Sequence, residues 1–261
     1  MKFREYGDPR LPAVMLIHGA GWSWWLYRRE AERLQDRYRV ILPTLDGHGE
    51  EAALPYVSTE ASADKILEYI DSSCGGKLFA LSGVSLGGQI AVELLSRRKD
   101  LAEKAIIESG VCLSQPFLMS YSLFSLRLFG KLMFSESFNR WALKMMPERM
   151  RLPEELQALY LRDLPAVRRA TLEAVFTTYF RYELKESLKD CRADVAYWYG
   201  SKEVKAVKAS ARRLCDFLPA AAVLRLPGYT HAEISTYHPD EWVELAESFF
   251  ESSTSSRNSA R

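Results

Sequence analysis

The sequence predicts an α/β fold in which a mostly parallel central sheet is flanked by helices and interrupted late by an all-helical insertion. Three observations carry this. Short apolar runs alternate with helical stretches, and parallel strands need such crossovers because no tight hairpin can join them. Between residues 113 and 189 the alternation stops, and apolar residues recur only at three-to-four-residue steps. The length of 261 residues, with 48% hydrophobic and 26% charged, suits a globular chain with a large buried core and excludes a disordered or collagen-like one.

Residues 3–6 read as one short strand. The apolar runs 13–17, 39–42, 77–81, 104–107, 195–199 and 222–226 follow as buried strands, too short for helices. Helical patterns at 24–36, 61–72, 86–97, 204–217 and 240–250 supply the crossovers. Within the insertion, Phe117, Tyr121, Phe124, Leu128 and Leu132 mark one helix, and 138–146, 153–162 and 166–188 mark three more. No internal repeat is present. The serine-rich tail, 252–261, reads as disordered.

Several classes of partner are excluded. Lys and Arg total 35 against 34 Asp and Glu, a net charge of +1 that offers no basic excess for nucleic acid. The most apolar window, 113–134, is broken by Arg127 and Lys131 and falls short of the roughly 18 apolar residues of a spanning helix, so no stable membrane insertion is expected. The first residues, from Met1 to Tyr6, show no apolar signal core. Cys74, Cys112, Cys191 and Cys215 are scattered without a CxxC pair or metal-ligand spacing, which reads as reduced thiols in a cytoplasmic protein with no metal and no cofactor.

Two motifs carry chemistry. Gly83-Val84-Ser85-Leu86-Gly87 sits between an apolar strand and a helix-forming run, the strand–turn–helix setting in which a serine is presented on a strained turn. Glycines are needed there because backbone segments approach where a Cβ would clash. Ser85 would stand at a helix N-terminus, which favours developing negative charge. Upstream, the strand 13–17 ends in His18-Gly19-Ala20-Gly21. A tetrahedral oxyanion needs two preorganised N–H donors. The expected ones are Leu86, after the serine, and Ala20, with Gly21 as the alternative.

With these motifs the chain resembles the α/β-hydrolase superfamily over nearly everything from Phe3 to Phe250. Asp46-Gly47-His48-Gly49-Glu50 is similar to the loop that follows the next strand in that family, and the insertion lies where the family carries its cap, after the sixth strand of its sheet. The first strand of the full family sheet is absent. The resemblance implies a core of residues 1–112 and 190–251 with a helical cap of 113–189. It also implies a nucleophile, acid and histidine in that chain order. His231, after the run 222–226 and the turn Pro227-Gly228-Tyr229-Thr230, stands at the family's histidine position, with His238 as the alternative. Glu203, in Gly200-Ser201-Lys202-Glu203, stands where the family usually has aspartate, and Glu108 at the end of run 104–107 is the alternative acid.

The implied catalytic set is therefore Ser85, His231 and Glu203, with Ala20 and Leu86 as oxyanion donors. The activity expected is hydrolysis of an ester or thioester of a small apolar substrate through an acyl-serine. Carbon–carbon bond hydrolysis, perhydrolysis, or non-catalytic binding of a small ligand remain alternatives on the same fold. Phe117, Phe124, Phe129, Phe134, Phe138, Trp141, Met145 and Met146, with Trp22, Trp24 and Trp25, are the apolar candidates for a cleft. An exposed cap face could support a homodimer.

Overall fold

The computed structural model describes residues 1–133 and 135–252; Phe134 and the tail beyond Ser252 lie outside the described residues. Among the described residues seven strands form one sheet, β1 (Lys2–Tyr6), β2 (Ala13–Ile17), β3 (Arg39–Thr44), β4 (Leu78–Val84), β5 (Ala102–Glu108), β6 (Asp194–Gly200) and β7 (Ala222–Leu226). Their spatial order is β1-β3-β2-β4-β5-β6-β7. Only β1 is antiparallel, to β3, and every other pair is parallel. The helices that follow the strands are α1 (Arg28–Leu34), α2 (Thr59–Ser73), α3 (Leu86–Arg97), α4 (Pro116–Met133), α5 (Glu136–Met145), α6 (Glu154–Asp163), α7 (Arg169–Tyr179), α8 (Lys205–Phe217), α9 (Glu233–Tyr237) and α10 (Pro239–Glu251).

Alternation along each strand divides the core in two. Met15, Ile17, Leu81 and Tyr197 face one side of the sheet, where they pack against Ile66 and Ile70 of α2, Ile90 and Leu94 of α3, and Leu214 of α8. Val14, Leu16, Val40 and Trp198 face the other, against Ala31 and Leu34 of α1 and Trp242 of α10. Both faces are covered, so the central strands read as continuous apolar runs.

Helices α4 to α7 enter between β5 and β6. In this chain's own count that is after the fifth strand, because β1 is the only strand before β2; an eight-stranded count makes it the sixth. Two readings of local structure differ from what folds. Residues 24–36 are a 3-10 turn (Trp24–Tyr27) leading into α1 rather than one helix. The stretch 166–188 is not one helix either, because α7 stops at Tyr179. The Tyr179 carbonyl is taken by Gln89 Nε2 at 2.9 Å and the Phe180 carbonyl by the Gln115 amide at 2.7 Å, so the backbone acceptors that would continue the helix are used by tertiary partners.

Candidate active site

The serine motif forms a tight elbow. Ser85 has φ 54° and caps the N-terminus of α3. A Cβ on Gly83 would stand 2.2 Å from the Gly87 carbonyl oxygen, and one on Gly87 would stand 2.1 Å from that of Ile17. Neither position admits another residue without moving the backbone. The Ser85 amide donates to the Glu108 carbonyl at 2.8 Å, which ties the elbow to the end of β5.

The loop after β2 is fixed by its histidine. The Leu45 amide donates to His18 Nε2 at 3.0 Å, so Nδ1 carries the proton and donates to the Gly19 carbonyl at 2.8 Å. Full burial, with His48 as a neighbour, lowers the His18 pKa to about 3 and keeps the ring neutral. Its role is to hold the loop, not to titrate. Ala20 and Leu86 face the same cavity as Ser85, and the Leu86 amide belongs to the first turn of α3, where N–H groups lack helical partners.

The loops after β6 and β7 are laced together. Gly200 lies so close to the base loop that a Cβ there would meet the Tyr229 carbonyl oxygen at 2.3 Å. The Lys202 amide donates to the Tyr229 carbonyl at 3.0 Å, and the Gly228 amide donates to Ser201 Oγ at 2.8 Å. This brings His231 Nδ1 to 2.8 Å from Glu203 Oε1, so glutamate reaches the ring despite its extra methylene. Burial opposes charge on Glu203, but the hydrogen bond and charge of His231, the Ser109 hydroxyl and the Val204 amide together lower its pKa. At His231, desolvation pulls the pKa down and the Glu203 hydrogen bond and charge outweigh it, for a net rise above the ordinary imidazole value of 6.5. With Nδ1 engaged by Glu203, Nε2 is left for chemistry.

The alternatives make other bonds. Glu108 directs its carboxylate to Ser235 Oγ at 2.9 Å and Trp242 Nε1 at 3.3 Å rather than to the His231 ring, which it reaches only through charge, and burial pushes its pKa up to about 7. His238 caps α10, with Nε2 at 3.7 Å from Glu233 Oε1.

Ser85 and His231 share the wall of one cavity of about 310 Å³. No hydrogen bond joins Ser85 Oγ to the imidazole among the described residues; in ligand-free sites such contacts are commonly loose and tighten on substrate binding. Apart from Ser122, the remaining wall is apolar or aromatic: Val111, Leu118, Tyr121, Val175, Phe176, Tyr179, Phe180, Val204 and Val207. Among the described residues, none of the aromatic and methionine side chains expected to line a cleft is part of this wall, and Phe134 lies outside the described residues. Trp22, Trp24 and Trp25 pack with Leu152 and Leu156 of the insertion. Phe117, Phe124 and Phe129 point outward, because the turn of α4 that meets the cavity carries Leu118, Tyr121 and Ser122 instead.

Three contributors escaped the sequence reading. Ser109, buried with φ 52°, places its hydroxyl beside Glu203. The Tyr179 hydroxyl accepts the Val111 amide at 3.0 Å, which holds a cavity-wall residue to the loop after β5. Gln89, two residues past the glycine motif, donates to the carbonyls of Val111 and Tyr179 and so pins both. A polar residue directly after Gly87-Gly88 and ahead of the apolar run Ile90-Ala91-Val92 was the available signal for Gln89; nothing local marked the other two.

Known proteins resemble this chain in sequence and in fold. A sequence profile described as "Alpha/beta hydrolase family" matches residues 14–245. The chain is 25% identical over 252 residues to a pimeloyl-[acyl-carrier protein] methyl ester esterase of Chromobacterium violaceum, covering 90% of this chain and 93% of that one. Among solved structures, a carboxylesterase of Nitrososphaera gargenis superposes with a TM-score of 0.78 at 17% identity, over 95% of this chain and 93% of the other. The enol-lactonase of Burkholderia xenovorans superposes with a TM-score of 0.78 at 17% identity, over 96% of each chain.

Proposed function

The chain belongs to the alpha/beta hydrolase family, and on that premise we propose that it hydrolyses carboxylic esters of a small apolar acyl group by nucleophilic catalysis at Ser85. The observation that carries the reading is the meeting of three chain segments on one cavity: the strained Ser85 with Leu86 beside it, Ala20, and His231 with its 2.8 Å bond to Glu203.

His231 Nε2 takes the proton of Ser85 Oγ as that oxygen attacks the ester carbonyl carbon. The amides of Ala20 and Leu86 receive the oxyanion. On collapse, the carbon–oxygen bond to the alcohol breaks, the imidazolium returns its proton to the leaving alkoxide, and an acyl-serine remains. Water, deprotonated by the same nitrogen, releases the acid and restores Ser85. Glu203 keeps the ring in the tautomer with Nδ1 protonated and stabilises the imidazolium. The apolar wall, of a volume at the lower end for small-molecule pockets, supports a short or medium acyl chain over a sugar or a highly charged metabolite. The relative named as a methyl ester esterase supports ester cleavage over the carbon–carbon alternative.

The test is Ser85→Ala. It is expected to lower turnover of a p-nitrophenyl ester on the order of 10⁵-fold and to abolish labelling by a fluorophosphonate probe. Unchanged turnover and labelling would reject the assignment. Ligand binding with no labelling of the native chain would favour a binding protein.

A further inference from the structure

We infer that the outer face of α4 is a docking surface for an anionic lipid bilayer, set beside the mouth of the reactive cavity. Phe117 is 80% exposed, Phe124 63%, Leu128 61% and Leu132 50%, and Tyr121 continues the row at 62%. At 3.6 residues per turn these positions form one stripe along the helix axis, while Leu126 on the opposite side is buried against Val167 and Leu172. Single exposed apolar residues are ordinary; a continuous stripe along an eighteen-residue helix is a surface left to be covered. The next helix, α5, adds Trp141 and Met145 one turn apart, both more than half exposed.

Charge decides what covers it. Helix α4 holds no Asp or Glu, and Arg127 and Lys131, one turn apart, flank the stripe. Neither has a carboxylate partner among the described residues. Residues 113–151 carry six Lys and Arg against two Asp and Glu, within a chain whose net charge is only +1. A second copy meeting this face across a two-fold axis would bring those cations together. An anionic interface neutralises them, and aromatic residues with flanking Lys and Arg are the composition of helices that lie in the headgroup plane. Among the described residues no helix is long and apolar enough to cross a membrane, so the contact is with the surface.

The position of the cavity adds a second observation. The other flank of α4, through Leu118, Tyr121 and Ser122, lines the cavity that holds Ser85, and Tyr121 belongs to both surfaces. An amphiphilic ester leaving the bilayer would meet a mostly apolar wall on its way to the serine. That delivery role rests on the proposed ester hydrolysis; the docking does not.

The experiment is co-sedimentation of the full chain with vesicles of phosphatidylcholine containing about 30 mol% phosphatidylglycerol, with pure phosphatidylcholine as the control, at low salt and at about 0.5 M salt. Binding is expected to the anionic vesicles and to fall roughly ten-fold or more on the neutral ones and at high salt. The triple variant Phe117→Ser, Phe124→Ser, Leu128→Ser and the double variant Arg127→Glu, Lys131→Glu are each expected to lose about as much, with turnover of a water-soluble acetate ester unchanged. The Ser85→Ala chain is expected to bind like the native one, which separates docking from the reaction. No binding to anionic vesicles, or binding that the triple variant retains, overturns the inference. A concentration-dependent dimer that the triple variant abolishes, without vesicle binding, assigns the face to a second copy and overturns it as well. If the triple variant misfolds, the charge variant decides: binding to anionic vesicles as tight as native overturns the inference, and its loss upholds it.

Discussion

The two walls of the cavity are built differently. On the sheet side the elbow and the loops after β6 and β7 are tied through backbone, the Ser85 amide on the Glu108 carbonyl and the Lys202 amide on the Tyr229 carbonyl, with glycines packed where no Cβ fits. The loop after β2 is tied through the buried His18 ring. Among the described residues the non-glycine positions with positive φ are Ser85, Ser109 and Ala232, respectively the proposed nucleophile, the neighbour of the proposed acid and the residue after the proposed base. Such strain persists only where surrounding structure over-determines it. On the helical side the wall is Leu118, Tyr121, Val175, Phe176 and Phe180, held by packing and by a few side-chain anchors such as the Trp25 indole N–H on Asp163 at 2.8 Å. The proposed chemistry thus lies on the backbone-tied wall, and the proposed selection of substrate on the wall held by packing.

Breaking the backbone-tied wall should have the largest effect. Glu203→Gln keeps the shape but removes the charge that fixes and supports the imidazole, and kcat is expected to fall roughly 10³- to 10⁴-fold. The pH profile sharpens the point. Because the Glu203 hydrogen bond and charge raise the His231 pKa against desolvation, and the base acts when neutral, the acid limb of kcat/KM in the native chain should have its midpoint above 6.5. Removing the carboxylate charge should move that midpoint to lower pH while the rate falls. A profile unmoved by Glu203→Gln would detach the acid from the base.

Changes on the wall held by packing should redirect more than disable. Phe176→Ala opens the apolar lining, and the ratio of kcat/KM for longer over shorter p-nitrophenyl esters is expected to rise about ten-fold. Equal rates on all chain lengths before and after would remove the pocket's role in selection. The smallest effect on catalysis is expected at the anchor between the walls. Asp163→Ala strands the buried Trp25 indole N–H and should lower stability by about 1–3 kcal/mol in urea unfolding, with turnover of a short ester within about two-fold.

The same division governs what was legible in the sequence. Residues 13–17, 222–226 and 86–97 fold with the bounds their patterns suggest, because each is bounded by turn or charged residues: Pro12 and Gly19, Pro219 and Pro227, and Gly83 and the charged Arg98-Lys99-Asp100. The elbow is readable because one of its close approaches, Gly83 on the Gly87 carbonyl, acts between residues four apart in the chain. Glu203 and Glu108 both follow apolar strands, and local pattern left both open as acids. What separates them is the lacing of the β6 and β7 loops at Gly200, a contact between residues almost thirty positions apart. The insertion was legible as helices but not as faces. Its outward phenylalanines and inward Leu118 follow the same helical period, and only the packing of α4 against α7 tells which side meets the cavity.

The order of the strands has one more consequence. The proposed histidine hangs from β7, the outermost rung, which is bonded to β6 alone, while the serine rises from β4 in the middle of the sheet. Margins of a sheet fray at lower cost than its centre. Warming should then silence the chain by loosening that hem, well before the bulk of its secondary structure melts, and cooling should restore it without any need to refold.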